Sequence, residues 1–388
     1  MSNPMQVASE RNALPPLRRF PFSGGEVAVG DTVVGAAVLL DREDKQTRAG
    51  KAMATFTLRN ATGGASMPVW AEQLPAVADL ASGSPVVLTA TWASGRGGTP
   101  EWKFEGAEAL PVDHPVVLEA QPVAPVTLGL LGARMQALLS VLSTEARELF
   151  DVLMHTPVAC GIGPLEPMKA RFVAAPAATS NHHATRHGLL FHSIQTAELA
   201  LSLADTFRRT GDAPDIDIDA VVLGGVWHDV GKLDEISYQG AFKYTARAAV
   251  ATHMGWGLCR VTEAVTRAET TTAWQPTLRQ RELVQHLLMI VASHHAQLSW
   301  GALVEPASRE AWCVANADQT SAKVQPITDS AGTGTPLAEG WTRIGAGRFG
   351  RSQFISPTAQ RRDGVAAAGD GVLRLMLPGA ETGVSDVA

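Results

Sequence analysis

The chain has 388 residues, is 45% hydrophobic and carries a formal net charge of −6. That composition excludes wholesale disorder, and the acidic balance excludes a strongly basic nucleic-acid coat. At ~150 residues per domain, two domains with tails are expected.

In chain order, residues 1–20 hold arginines and prolines but no apolar run, and read as a flexible lead rather than a signal peptide. Residues 21–115 read as β structure. Five short runs, Val33–Leu40, Ala52–Leu58, Ala65–Trp70, Val86–Trp92 and Glu101–Phe104, are separated by Gly63-Gly64, Ser82-Gly83 and the stretch Gly95 to Pro100. A short helix over Leu74–Leu80, between the third and fourth runs, fits an OB-type barrel, with an SH3-like barrel or small sandwich as rivals. Residues 116–128 form a Pro-punctuated linker. Residues 129–326 then take a 3.6-residue period and read as an all-α domain, with helices over 185–208, 219–230, 247–268, 279–297 and 307–323. Residues 327–388, rich in Gly and Ala, read as a largely disordered tail. No window approaches the ~20 apolar residues of a membrane span, so no membrane partner is expected. Cys160, Cys259 and Cys313 are too few and too far apart for a disulfide framework or a CxxC zinc pair, and suit a reducing cytoplasm.

The histidines point to a site. Two of the eleven, His114 and His155, precede residue 180, and the other nine fall between His182 and His295. The segment DAVVLGGVWHDVGK (219–232) is an almost uncharged helix ending in His228-Asp229, with Gly231 as a left-handed stop and Lys232 beyond it. Burying an imidazole beside a carboxylate is costly unless something pairs them, either a plain His–Asp hydrogen bond or a divalent metal. Other helices repeat the pattern. His192 shares a face with Thr196, Leu199 and Leu203, and His253 with Val250, Gly257 and Val261. His294 and His295 follow apolar stripes ending in Ile290 and Val291, and Asp318 follows Ala311, Val314 and Ala315. Five helices aiming such groups inward by accident would cost ~1–3 kcal/mol for each unpaired group. Imidazole with carboxylate suits manganese, iron, zinc, nickel or cobalt.

The order His192, His228-Asp229, His253, His294-His295, Asp318 resembles the HD metal-dependent phosphohydrolase superfamily. AAPAATSNHHATRHGLLFHS (174–193), GGVWHDVGKLDEIS (224–237), YTARAAVATHM (244–254), SHHAQLSWGALVEPASREA (293–311) and NADQTSAKV (316–324) narrow the resemblance to the YhaM-type 3′→5′ exoribonucleases. That family joins an N-terminal OB-fold to an HD domain. The resemblance implies a first metal on His192, His228, Asp229 and Asp318. It implies a second on His253 with His294, His295 or both, Asp229 bridging. Manganese leads, with magnesium also admissible. Beside the resemblance, Asp229 is the central catalytic candidate, and Lys232, just beyond the metal helix, could neutralise a phosphate oxygen or be a solvated lysine at a helix end. His182 and His183 match paired family histidines, substrate-side or structural. Ala296 follows the histidine pair where the family usually has glycine.

The same resemblance implies a barrel that binds single-stranded RNA or DNA. Trp70, Trp92 and Arg59 are the leading contacts among the aromatic residues Phe56, Trp70, Trp92, Trp102 and Phe104 and basic residues that include Arg96. Between residues 21 and 111, however, seven basic side chains face ten acidic ones, which is poor for strong binding. The expectation is a two-domain metal-dependent 3′→5′ exonuclease. An HD-type small-nucleotide phosphohydrolase or cyclic-nucleotide phosphodiesterase, a non-catalytic nucleic-acid-binding adaptor, and self-association into a homo-oligomer stay open.

Overall fold

The computed structural model describes residues 18–22, 27–60, 62–95, 99–111, 114–160, 163–179, 183–237, 242–272 and 274–333, the last nine by backbone alone. His182, Arg96, the first 17 residues and the tail beyond 333 lie outside the described residues. The chain divides into two compact units. One contains the residues up to Pro122 with the short segment 237–242, and the other contains Val123–Ile236 and the chain from Lys243 onward.

The first unit is a five-stranded antiparallel sheet. Its strands are β1 (Thr32–Gln46), β2 (Ala52–Asn60), β3 (Gly63–Trp70), β4 (Pro85–Ser94) and β5 (Pro100–Ala109), in the order β3-β2-β1-β4-β5. The 15-residue β1 pairs with β4 along its first half and with β2 along its second, and its register slips between Leu39 and Asp41. Such a bulge bends the strand, so one strand serves two sheet edges. A short 3-10 helix, Leu74–Val77, falls between β3 and β4 as the sequence predicts.

Alternation along β2 and β3 buries Ala54, Phe56, Leu58, Met67 and Val69, and β5 adds Trp102 and Phe104. Phe56, Trp102 and Phe104 are therefore core residues and not stacking platforms. Trp92 packs its ring on Trp102, centroids 4.8 Å apart. Of the five aromatics only Trp70 is an exposed ring, and Arg59 is exposed on the same outer face of β2 and β3.

Two expected boundaries move. The lead does not extend to residue 20: Phe20 is fully buried, its backbone follows β1, and Asn60 donates to the carbonyls of Phe20 and Ala36, each at 2.8 Å. Nor is 116–128 all linker. Val116–Ala120 is a short helix, α1, whose Val116, Val117 and Ala120 cover Ala36 and Val38 of β1. Pairs of small apolar residues on both elements make that second face worth burying.

The second unit is helical: α2 (Leu128–Ser140), α3 (Thr144–His155), α4 (Met168–Ala174), α5 (Gly188–Thr210), α6 (Ile218–Trp227), α7 (Lys232–Glu235), α8 (His253–Thr271), α9 (Leu278–Ser293) and α10 (Arg309–Thr333). Thr127, Ser143, Asp217 and Thr277 cap α2, α3, α6 and α9 through side-chain oxygens, and Thr277 forms a full capping box with Gln280. α6 is buried along nearly its whole length, as an apolar helix must be. It approaches α5 so closely that a Cβ at Gly225 would meet the backbone of Ala197 at 2.5 Å. Trp227 ends α6 between Phe150 and Phe172, which anchors the residues that follow. α10 runs seven residues past the boundary expected at 326. No described helix is long and apolar enough to cross a membrane.

Candidate metal centre

His192 lies within α5 and Asp318 within α10, as their periodicity predicts. The other members sit at helix ends: His228 caps the C-terminus of α6, His253 opens α8, and His294 caps the C-terminus of α9. The helices expected over 219–230, 247–268 and 279–297 are accordingly shorter at those ends. Val250, read as part of the His253 stripe, precedes α8 and is exposed. Gly231 is right-handed (φ −68°), not a left-handed stop. Glycine is needed there for space, because a Cβ would lie 1.8 Å from the carbonyl oxygen of His253 and 2.4 Å from the nitrogen of Gly257.

The site forms around the fully buried Asp229. On one side, Oδ2 lies 3.2 Å from His192 Nε2 and 3.4 Å from His228 Nε2, and Asp318 Oδ1 lies 3.1 Å from His192 Nε2. On the other, Oδ1 lies 3.5 Å from the Nε2 atoms of both His253 and His294. His295 completes this side, its ring centroid 4.6 Å from that of His294. Lys232 Nζ is 2.6 Å from Asp229 Oδ2. Sequence reading thus names a set that the fold brings together on both faces of one carboxylate.

The outer nitrogens fix what the inner ones can do. Nδ1 faces the carbonyl oxygen of Gly225 in His228 (2.9 Å), of Val291 in His294 (2.9 Å) and of Trp300 in His295 (2.9 Å). In His253 it faces Glu235 Oε2 at 2.9 Å. In His192 it faces Ser321 Oγ at 3.2 Å, and that hydroxyl donates onward to Gln195. Each of these partners accepts, so each Nδ1 donates, and a ring that holds only that proton presents its Nε2 lone pair inward. The inner nitrogens then face one another, 3.2 Å apart between His192 and His228 and 3.3 Å between His253 and His294. Lone pairs at that distance repel unless a cation stands between them.

Electrostatics agree for Asp229, His294 and His295, while the two carboxylates draw a positive charge toward His192. Burial would raise the Asp229 carboxyl, but Lys232, His228 and His192 hold it well below the usual range. Burial lowers the imidazoles of His294 and His295, only partly offset by Asp229, which keeps them neutral. For His192, burial is outweighed by Asp229 and Asp318, which raise its value. Burial likewise opposes Lys232, but Asp229 raises it and keeps the ammonium charged. Both Asp229 oxygens lack a hydrogen bond of normal geometry despite these neighbours. A buried carboxylate so placed, between two sets of imidazole lone pairs, fits divalent ions. Two His-containing groups, His192-His228-Asp229 and His253-His294-His295, each keep their ligand atoms within 4.8 Å of one another.

Other sequence candidates fall outside this cluster. His183 is buried behind His192, its Nε2 3.3 Å from the Gln195 oxygen that also accepts from Ser321. Trp70, Trp92 and Arg59 belong to the other unit. Sequence reasoning missed Glu235, Ser321 and Gln195, which orient His253 and His192. Glu235 is the one with a signal, an acidic residue six positions after Asp229 in HDVGKLDE.

Comparison with known proteins agrees with this geometry. The HD domain family matches residues 189–323. The 3′-5′ exoribonuclease YhaM of Bacillus subtilis is 31% identical over 156 residues, 40% of this chain and 45% of that protein. YhaM of Bacillus licheniformis is 32% identical over 153 residues, 39% and 44% of the two chains. YhaM of Shouchella clausii is 28% identical over 160 residues, 41% and 46%. The matched region spans less than half the length of each relative. The helical unit therefore contains the region that matches the HD domain family, and the same region is similar to these YhaM exoribonucleases.

Proposed function

We propose that this chain is a cytoplasmic, metal-dependent phosphodiesterase that removes nucleotides from the 3′ end of single-stranded RNA. The observation that carries the reading is the set of four imidazole Nε2 atoms within 3.5 Å of the two oxygens of Asp229, with His295 beside them. His192, His228, Asp229 and Asp318 would hold one divalent ion. His253, His294 and His295 would hold a second, with Asp229 shared. The likeness to the YhaM-type family makes manganese the first choice, and the imidazole and carboxylate donors also suit iron, zinc, nickel or cobalt. Ions held there supply charge neutralisation for the phosphodiester and a nucleophile derived from water.

The chain's own residues do the rest. Glu235, Ser321 and three backbone carbonyls hold the imidazoles so that every Nε2 faces the reacting group. Lys232, kept charged by Asp229, places an ammonium beside a phosphate oxygen as negative charge builds on it. Water adds to phosphorus and the terminal P–O3′ bond breaks. The products are a nucleoside 5′-monophosphate and a strand one nucleotide shorter with a 3′-hydroxyl. The strand order of the β unit and its helix between β3 and β4 support an OB-type module, with exposed Trp70 and Arg59 as its single-strand contacts.

The acidic balance of the β unit favours a second reading, an HD-type hydrolase of small nucleotides. One experiment separates them: protein with Mn²⁺ and a 5′-labelled single-stranded RNA, resolved on a denaturing gel. A ladder shrinking from the 3′ end, abolished by EDTA, supports the exonuclease. Intact RNA with metal bound to the protein transfers the assignment to the small-nucleotide hydrolase.

A further inference from the structure

The loop between α9 and α10 carries an aromatic ring that the fold leaves in solvent. Trp300 closes the 3-10 turn Leu298–Trp300 and is 49% exposed. Indoles are ordinarily packed away, so an exposed one held in a defined place has surface to offer. Its backbone is fixed to the metal centre: the Trp300 carbonyl accepts from His295 Nδ1 at 2.9 Å. The next residue, Gly301, is left-handed (φ +93°), and a Cβ built there would lie 3.9 Å from both His295 Nδ1 and the Met254 side chain. The ring is therefore carried on backbone that lies against the His295 imidazole.

A cation approaches the same ring from another element. Lys323 Nζ, steadied by Gln319 Oε1 at 3.2 Å, lies 5.6 Å from the Trp300 ring centroid. Lys323 belongs to α10, the helix that supplies Asp318 to the cluster and Ser321 behind His192. Thus the two elements that deliver His295 and Asp318 also bring together a half-exposed indole and an ammonium. A base needs the first and a phosphate the second.

We propose that Trp300 and Lys323 form the subsite for the 3′-terminal nucleotide of the strand, the indole stacking on the terminal base and the ammonium meeting a phosphate oxygen. The proposal rests on the nuclease reading and adds the group that seats the strand end at the metals. Stacking tolerates any base, so the subsite fits an enzyme that must accept each nucleotide in turn. It also places one favourable charge where an acidic chain most needs it.

The test uses the full-length protein with Mn²⁺ and two RNA oligonucleotides, identical except that one ends in a 3′-abasic nucleotide. Trp300→Ala should raise KM for the natural end about tenfold, within the range of one lost base stack, and Trp300→Phe should restore most of it. With the abasic end, wild type and Trp300→Ala should have the same KM. Lys323→Gln should raise KM for both ends. Equal losses on both substrates in Trp300→Ala, or none on either, would overturn the subsite. Anisotropy with the same oligonucleotides in Ca²⁺ gives the second readout. A wild type that cuts RNA while Trp300→Ala is indifferent removes the subsite alone. A wild type that cuts no RNA yet binds the natural end more tightly through Trp300 removes the nuclease reading and leaves the subsite standing.

Discussion

Asp229 is buried with four imidazoles, a second carboxylate and one ammonium around it, and the single full positive charge of Lys232 is a poor match for two carboxylates. Asp229→Ala should therefore abolish metal binding and turnover while leaving helix content intact, checked by elemental analysis and circular dichroism. Retained turnover would sink the assignment. Glu235 offers a finer test, because it is the only carboxylate facing an Nδ1 in the set, 2.9 Å from His253. Losing such a partner typically weakens a metal site 10- to 100-fold. Glu235→Gln should do so for one of two ions, seen as a biphasic titration by calorimetry. Equal affinity for both ions in that variant would contradict the role. Ala296 is a further point of strain at this site. It adopts φ +66° directly after His295, the region glycine favours, where an alanine bears a strain of ~1 kcal/mol. Ala296→Val, a branched residue in that region, should lower the denaturation midpoint further and loosen His295.

At the scale of elements, the site depends on how closely α6, its following turn and α8 approach. At Gly231 a methyl would strike the carbonyl oxygen of His253 and the nitrogen of Gly257, both backbone atoms that cannot rotate away. Gly231→Ala should therefore displace the start of α8 and lose the second ion, with a stability loss of ~3 kcal/mol or more by chemical denaturation. The sequence conveys Gly231 as a helix stop, which is a local reading. The real constraint comes from a helix over twenty residues away in the chain, and no local pattern can report it. The same limit explains the helix ends. Apolar stripes correctly identify which faces His192 and Asp318 share, because those residues lie mid-helix. They overrun at His228, His253 and His294, where the chain turns to aim imidazoles inward while the apolar pattern continues. In the β unit, alternation gives the five strands, but it cannot tell which aromatic on a strand faces the core once β1 bulges. A third interaction ties the starts of α6 and α10 to α9. Glu310 accepts from the amide of Asp217 at 2.9 Å and meets His286 Nε2 at 3.3 Å. Burial alone would raise its carboxyl, but the His286 bond and the Asp217 amide hold it at about 2. Its folded value is thus depressed, so its contribution is present above the ordinary carboxylate value of about 4.5 and fades as pH falls toward 2. Glu310→Gln should cost ~2 kcal/mol at neutral pH, and that difference should shrink below about pH 4.5 and vanish only below about pH 2 in denaturant titrations.

Across the whole molecule, the metal reading and the division into units make a joint prediction. The β unit has its own core, from Phe20 through Phe56 and Leu88 to Phe104, and the helical unit has another, centred on Leu189, Leu223, Trp227 and Val291. Every candidate ligand belongs to the second. A ligand that binds only the folded form stabilises what it binds, by about 2.7 kcal/mol at a hundred times its Kd. For a unit of about 200 residues, each kcal/mol raises Tm by ~2–4 °C, so Mn²⁺ should move the helical transition up by ~5–10 °C. The β-sheet transition has no ligand group to respond and should stay where it is. Calorimetry with and without Mn²⁺ reads both at once, with near- and far-ultraviolet dichroism assigning each step. Asp229→Ala should remove the shift without moving the β transition. If Mn²⁺ shifted the β transition, or left the helical one unmoved, the metal would not be held by the inward imidazoles. The lone pairs facing one another around Asp229 would then need another explanation.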